Sequence, residues 1–520
     1  MNGQTRAALR LLFSLVLPLG GILSAGAEDS SHLTSEQVDK AVRELDALAA
    51  KQIQGQTVPG LAIAVVFQDK VVYAKGFGVR DVNGKAPVNA DTVFQLASLS
   101  KPVGATVLSS LVGEDKITWD SRLVDLDPTF VMFDPWVTRE ITIRDMYAHR
   151  SGLPDHAGDL LEDIGFGQAE ILRRLRYQPP ESSFRSHYAY TNYGLTAAAI
   201  AAAKASGTEW ETLSEEKLYK PLGMSSTSSR YSDFAGRANK ALGHVVVQGK
   251  WVQKFHRDPD PQSPAGGVSS SANDMAKWIR LQLADGKFEG KPIVNQEALT
   301  ETRRPQIVTG YSPLTGLPSF YGLGWNVSYE EEGRLRMNHS GAFALGAATH
   351  VNLVPGENLG VIVLTNGYPV GVAEALGTIF IETALYGKPT QDWFPLYKKL
   401  FTDPAVTGVV TGFDYAKARA TPAPASKADA YVGTYRNDFY GDLSITAQGE
   451  RLTMALGPQS KPFPMQHYDR DTFTWHTESE DISGTSGITF TIGDDGRATQ
   501  LTVETLNADG EGTFKRIPSR

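Results

Sequence analysis

Ser98 and Lys101, in Phe94-Gln95-Leu96-Ala97-Ser98-Leu99-Ser100-Lys101-Pro102, carry the spacing of a serine nucleophile and its base. An apolar lead-in, residues 93–97, would bring the chain through the interior. A helix beginning near Ser98 would set Lys101 one turn later on the same face. A serine hydroxyl is a poor nucleophile at neutral pH, and a lysine desolvated in a cleft can be neutral enough to take its proton. The helix N-terminus would favour the alkoxide and the oxyanion that follows. A second match, Ser214-Glu215-Glu216-Lys217, lies among charges, where a solvated lysine is no base.

Acyl transfer also needs a proton carrier for the leaving group and a backbone N–H for the oxyanion. Tyr190 and Asn192 offer a phenol and an amide ahead of an alanine-rich segment. His339 and Gly341 sit at a predicted strand edge, where glycine would let a substrate approach the backbone. Tyr435-Arg436-Asn437 and His156-Ala157-Gly158 repeat these patterns and serve as controls. His149 and His156, with Asp155, have no further ligand at helical or hairpin spacing, so no metal and no other cofactor is expected. No G-x-S-x-G elbow occurs, which counts against an α/β-hydrolase.

The 520 residues suit a large catalytic domain plus one smaller unit. A net charge of -8 with interspersed signs offers no stripe for nucleic acid and no polybasic membrane patch. Without cysteine the chain has neither disulfides nor thiolate chemistry. Arg6 and Arg10, an apolar run over residues 11–23 and the small residues up to Ala27 read as a signal peptide cleaved after Ala27. The run is short and broken by Pro18, so stable membrane insertion is not expected. The predicted location is periplasmic or secreted.

The elements that must position these residues follow from hydrophobic period. An amphipathic helix is expected over residues 35–53, with Ser35 as cap, and a hairpin over 61–68 and 71–78. The middle, 105–305, reads mainly as helices, the clearest at 195–205. Strands return at 335–339, 347–354 and 359–365, followed by a helix at 372–385. This is an α+β class: one antiparallel sheet from both ends of the domain, flanked by helices, with a helical insertion. An Ala/Pro/Thr-rich stretch at 402–427 reads as a linker. About eight short strands over 428–520 read as an antiparallel β-barrel able to fold alone. The expected organisation is signal peptide 1–27, catalytic domain 28–401, linker 402–427 and barrel 428–520.

Taken in order, Ser98-x-x-Lys101, Tyr190-x-Asn192 and His339-x-Gly341 resemble the serine β-lactamase-related superfamily of class C β-lactamases, D-alanyl-D-alanine peptidases, D-aminopeptidases and related esterases. Ala148-His149-Arg150-Ser151-Gly152-Leu153 and Pro264-Ala265-Gly266-Gly267-Val268-Ser269-Ser270 resemble two further segments of it. The terminal barrel resembles the lipocalin-like domain of some members. The resemblance implies a β-lactamase/transpeptidase-like fold, Ser98 as acylated nucleophile, and Lys101 and Tyr190 as proton shuttle. It implies that Asn192 holds the substrate amide and that N–H groups of Ser98 and Ala342 form the oxyanion hole. His339 stands where β-lactamases carry lysine, a weaker clamp for a β-lactam carboxylate. The expected function is therefore that of an exported serine hydrolase cleaving amide bonds of short peptides through a Ser98 acyl-enzyme, its expected partner being a small-molecule or short-peptide substrate. A short-chain carboxylesterase, a weak β-lactamase and an acylated sensor or penicillin-binding protein are the alternatives. The barrel either covers the cleft or mediates assembly into a homo-oligomer.

Overall fold

The computed structural model describes residues 33–311, 316–330, 333–402, 415 and 417–518. The expected signal peptide lies outside them, as do residues 403–414 and 416 of the expected linker. The organising element is an eight-stranded antiparallel sheet. Its order is Lys70–Gly78, Gly60–Phe67, Leu359–Thr365, Ala347–Val354, Leu335–Phe343, Asn326–Tyr329, Pro318–Tyr321 and Ile307–Tyr311. The N-terminal hairpin thus docks on strands nearly 300 positions later, as expected of a sheet built from both ends. The last three strands were not anticipated, being only four or five residues long.

Gly60–Phe67 is buried along its whole length, and its two faces enter different cores. Leu61, Ile63 and Val65 pack with helices Ser35–Gln54 and Val372–Tyr386. Ala62, Ala64 and Val66 face helices Ser100–Gly113 and Ala272–Leu283. The alternation is the period-two consequence of a strand between two helical layers. Small residues on the second face let Ala272–Leu283 lie close: a Cβ on Gly360 would fall 2.6 Å from Ile279 Cγ2. The first helix is capped by Thr34, with Gln37 completing a capping box, one residue before the expected cap.

Beyond residue 430 nine antiparallel strands form one sheet, one more than expected, because the run 463–467 breaks at Met465. Its edge strands, Lys461–Pro464 and Gln466–Asp469, are consecutive in the chain, so the sheet nearly closes into a barrel. The barrel interior is not self-contained. Leu161, Ile164, Phe166, Ile171 and Tyr193 pack into the same cluster as Tyr440, Leu456 and Trp475. A barrel able to fold alone is therefore at odds with the packing, since one core spans both units. Nor is the expected linker free where it is described: Ala423 N–H donates to Asp469 at 2.8 Å and Ser426 Oγ to Asp471 at 2.9 Å.

Candidate active site

The two-residue strand Phe94–Gln95 pairs with Ser269–Ser270, after which the chain turns sharply. Ala97 has φ of +49°, a left-handed conformation that costs an alanine roughly 1–3 kcal/mol. Ser98 follows in a 3₁₀ turn, and the α-helix Ser100–Gly113 begins two residues later than expected. Ser100 locks the turn: its Oγ donates to the Ala97 carbonyl at 2.7 Å and accepts from Val268 N–H at 2.9 Å. Across from it runs Leu335–Phe343. A Cβ on Gly341 would lie 2.0 Å from the Leu96 carbonyl oxygen, so the space that glycine frees is filled by the Ser98 turn. The expectation that this space serves substrate approach is replaced by a packing reason.

Lys101 is fully buried, and its Nζ lies 3.0 Å from Ser98 Oγ, 2.7 Å from Asn192 Oδ1 and 3.1 Å from the Ala265 carbonyl. Burial drives its pKa from 10.5 down to about 7, with Asp159 pulling the other way. Asn192 is the first residue of the buried alanine helix Asn192–Ala205, which fixes its position. Its Nδ2 donates to Asp159 Oδ2 at 2.7 Å, so its amide is engaged at both ends. The Tyr190 ring lies 4.4 Å from Lys101 Nζ. Burial holds the Tyr190 phenol well above its ordinary pKa, opposed by a hydrogen bond with Ser98. Tyr190 thus keeps its proton at neutral pH and could give one up to a stronger base, while part of the Lys101 population is unprotonated and could accept one.

His339 closes the far side. Its Nδ1 is 2.7 Å from the Ser340 carbonyl, which can only accept, so Nδ1 carries the proton. Nε2 must then accept from Tyr321, whose hydroxyl is 2.9 Å away. Burial, with Lys101 adding to it, lowers the His339 pKa to about 3, and the imidazole is neutral. Ser98, Tyr190, His339 and Ala342 line one open cleft of about 300 Å³, together with His156, Tyr188 and Tyr321. Among the described residues that line it there is no lysine or arginine.

Two groups here, Asp159 and Tyr321, were not singled out from sequence, and a third, His156, was given no role in the site. Asp159 holds both Asn192 and His156, the latter through Nδ1 at 2.7 Å. His156, treated as a control, lies in the cleft, 5.5 Å from the Tyr190 ring. Tyr321 comes from one of the short strands that periodicity missed. The other controls stay apart: Tyr435 donates to the Tyr431 carbonyl inside the barrel, and Asn437 binds the carbonyls of Glu511 and Thr513.

The fold has a solved counterpart, and a family model identifies the class. The chain superposes on the octameric penicillin-binding protein homologue from Pyrococcus abyssi with a TM-score of 0.59 and 20% identity, covering 89% of this chain and 98% of that one. A Beta-lactamase family model matches residues 38–384, and the chain belongs to that family of serine hydrolases. Residues 417–517 match a domain of unknown function, DUF3471. The unguisins hydrolase ungD of Aspergillus violaceofuscus is 27% identical over 470 residues, 80% of each chain. Penicillin-binding protein 4 of Amycolatopsis lactamdurans is 28% identical over 338 residues, 62% of this chain and 83% of that protein.

Proposed function

We propose that the protein is an exported serine hydrolase that cleaves amide bonds of short peptides through an acyl-enzyme on Ser98. The observation that carries this reading is the setting of Lys101. A neutral amine there donates its two hydrogens to Asn192 Oδ1 and the Ala265 carbonyl, which leaves its lone pair aimed at Ser98 Oγ, 3.0 Å away. Ser98 Oγ attacks the carbonyl carbon and its proton passes to Lys101 Nζ. The oxyanion is held by the N–H groups of Ser98 and Ala342. Tyr190 gives its phenolic proton to the leaving amine as the C–N bond breaks, and is reprotonated from Lys101. Water then attacks the ester carbonyl, its proton passes through the same pair to Ser98 Oγ as the C–O bond to Ser98 breaks, and the acid is released. Asn192 and Asp159 act in this scheme by orienting the base.

A permanent cation would favour substrates with a carboxylate beside the scissile bond, as in β-lactams. Here His339 is neutral and occupied at both nitrogens, which supports peptides over β-lactams. The relative named as a hydrolase of unguisins supports turnover over a stable adduct. The N-terminal pattern supports export, with residues 1–27 removed, 28–401 as catalytic unit and 428–520 as a lipocalin-like barrel. The test compares kcat/KM for short peptides, D- and L-amino-acid p-nitroanilides, p-nitrophenyl esters and nitrocefin. Peptide or anilide turnover is expected. Ester turnover alone would make the protein a carboxylesterase, nitrocefin as best substrate would make it a β-lactamase, and a single burst with a stable adduct would make it a sensor.

A further inference from the structure

The barrel hairpin between strands Thr472–Glu478 and Ser483–Ile492 ends in Ser479-Glu480-Asp481-Ile482, and its tip is seated in the other unit. Asp163, at the end of the short helix Asp159–Asp163, grips it. The Asp163 carboxylate accepts from Ser479 Oγ at 2.8 Å and from the N–H groups of Glu480, Asp481 and Ile482 at 3.2, 2.8 and 2.8 Å. From that seat Glu480 reaches the opposite way. It accepts from the N–H groups of Ala344 at 2.5 Å and Leu345 at 3.2 Å, the first residues past strand Leu335–Phe343. Arg257 fills the gap, 2.5 Å from Glu162 and 3.7 Å from Glu480, with its guanidinium over the Phe343 ring at 4.9 Å.

The two anchors belong to two different elements that support the site. The helix Asp159–Asp163 starts with Asp159, which holds Asn192 and through it the amine of Lys101. The strand ends one residue past Ala342, the proposed oxyanion donor. We propose that the Ser479–Ile482 tip is a positioning device, with Glu480 as its positioning residue. It fixes the Ala342 strand end relative to the Asp159 helix, so that oxyanion donor and base stay in register around Ser98. The inference rests on the acyl-transfer reading of that site. Burying a carboxylate is a costly way merely to attach a barrel, which apolar packing already does. Glu480 shows that cost: burial pushes its carboxyl up to about 7 despite Arg257. A catalytic donor, in contrast, must be placed to well under 1 Å, where a rigid two-point contact has value.

The experiment uses the full chain and counts competent sites by titrating Ser98 with a serine-reactive phosphonate. E480A is expected to lower kcat per titrated site roughly tenfold with KM within about twofold, because a displaced oxyanion donor weakens the transition state more than the bound substrate. E480Q, which keeps one acceptor oxygen for Ala344 N–H, should recover part of the loss. D163N should fall as E480A does, and D163N combined with E480Q should fall no further than D163N alone, because the two contacts lie in series on one tip and losing either frees the strand end from the helix. A merely structural tip would lower the number of titrated sites and leave kcat per site unchanged, which would overturn the proposal. Should E480A not fold, wild-type kcat per site in both E480Q and D163N overturns it equally. Failure of wild-type Ser98 to be labelled is separable from these outcomes, since it strikes the acyl-transfer reading before any tip variant is compared.

Discussion

At residues 98–101 serine and lysine face each other across 3.0 Å, whereas at 214–217 the same spacing sends them to different partners. Ser214 Oγ donates to the Trp210 carbonyl at 2.8 Å, and Lys217 Nζ reaches Glu114 at 2.6 Å. The local helix type separates them. Ser98 and Lys101 straddle a 3₁₀ turn leading into an α-helix, which keeps positions three apart on one side. Ser214 and Lys217 straddle the entry to a π-helical turn, Glu215–Tyr219, where wider winding rotates the lysine away. Surroundings complete the difference. Among the described residues the Lys101 amine meets only neutral acceptors within hydrogen-bond reach, while Lys217 meets a carboxylate. A motif of two residues thus becomes a candidate catalytic pair through its turn and its third parties.

The largest effect that would break this comparison is at the nucleophile. Ser98→Ala should remove phosphonate labelling and lower kcat by several orders of magnitude; turnover above about 1% of wild type would refute the assignment. Lys101→Met should be nearly as damaging to turnover yet stabilise the fold. Its pKa falls from 10.5 to about 7, so below pH 7 the native state must bury an ammonium. Between pH 7 and 10.5 the unfolded chain binds more protons at this residue, so its penalty shrinks as pH rises. The Met variant should therefore gain on the order of 1–3 kcal/mol at pH 6 and progressively less towards pH 10, measured by urea unfolding. A destabilised Met variant at pH 6 would show that the amine's three hydrogen bonds outweigh its desolvation.

How much of this was legible follows from what periodicity reports. Alternation and helical spacing reveal which faces are buried, and so foretold the central strands and the alanine helix, while the three ordered motifs were read from residue types and their resemblance to a family; the fold brings Ser98, Tyr190 and His339 of those motifs into one cleft. They do not say which polar groups meet. Tyr321 as partner of His339 was hidden because its four-residue strand carries too little pattern. Asp159 was hidden because it acts through Asn192, across 33 positions and one buried hydrogen bond. Glu480 lay further out of reach, since the barrel read as a separate unit while its tip bonds to groups up to 319 positions away. The left-handed Ala97 had no signal at all: nothing in an alanine announces positive φ.

A smaller effect sharpens the comparison at the third parties. Asp159 raises the Lys101 pKa by its charge, against the larger lowering from burial. Asp159→Asn keeps an acceptor oxygen for Asn192 and removes the charge. The ascending limb of kcat/KM, expected near pH 7 because the protonated amine is no base, should move to lower pH by a few tenths to about one unit. A limb that stays in place would mean that the titrating group is not Lys101.

The smallest expected effect lies at the other serine and lysine. Lys217→Ala breaks an ion pair with Glu114 whose side chains are 24% and 39% exposed, so solvent screening limits the loss to about 0–1 kcal/mol. Ser214→Ala removes a hydroxyl that folds back on its own helix, a bond that adds little to a carbonyl of the preceding turn, and should cost no more than about 1 kcal/mol. Neither change touches the cleft, so kcat/KM should match wild type when expressed per titrated Ser98. The pair is the right control because it holds residue types and spacing constant while changing turn and burial. If Lys217→Ala lowered kcat per titrated site by more than about threefold, turn geometry and burial would no longer account for the difference between the two matches, and the distinction drawn between them would fail.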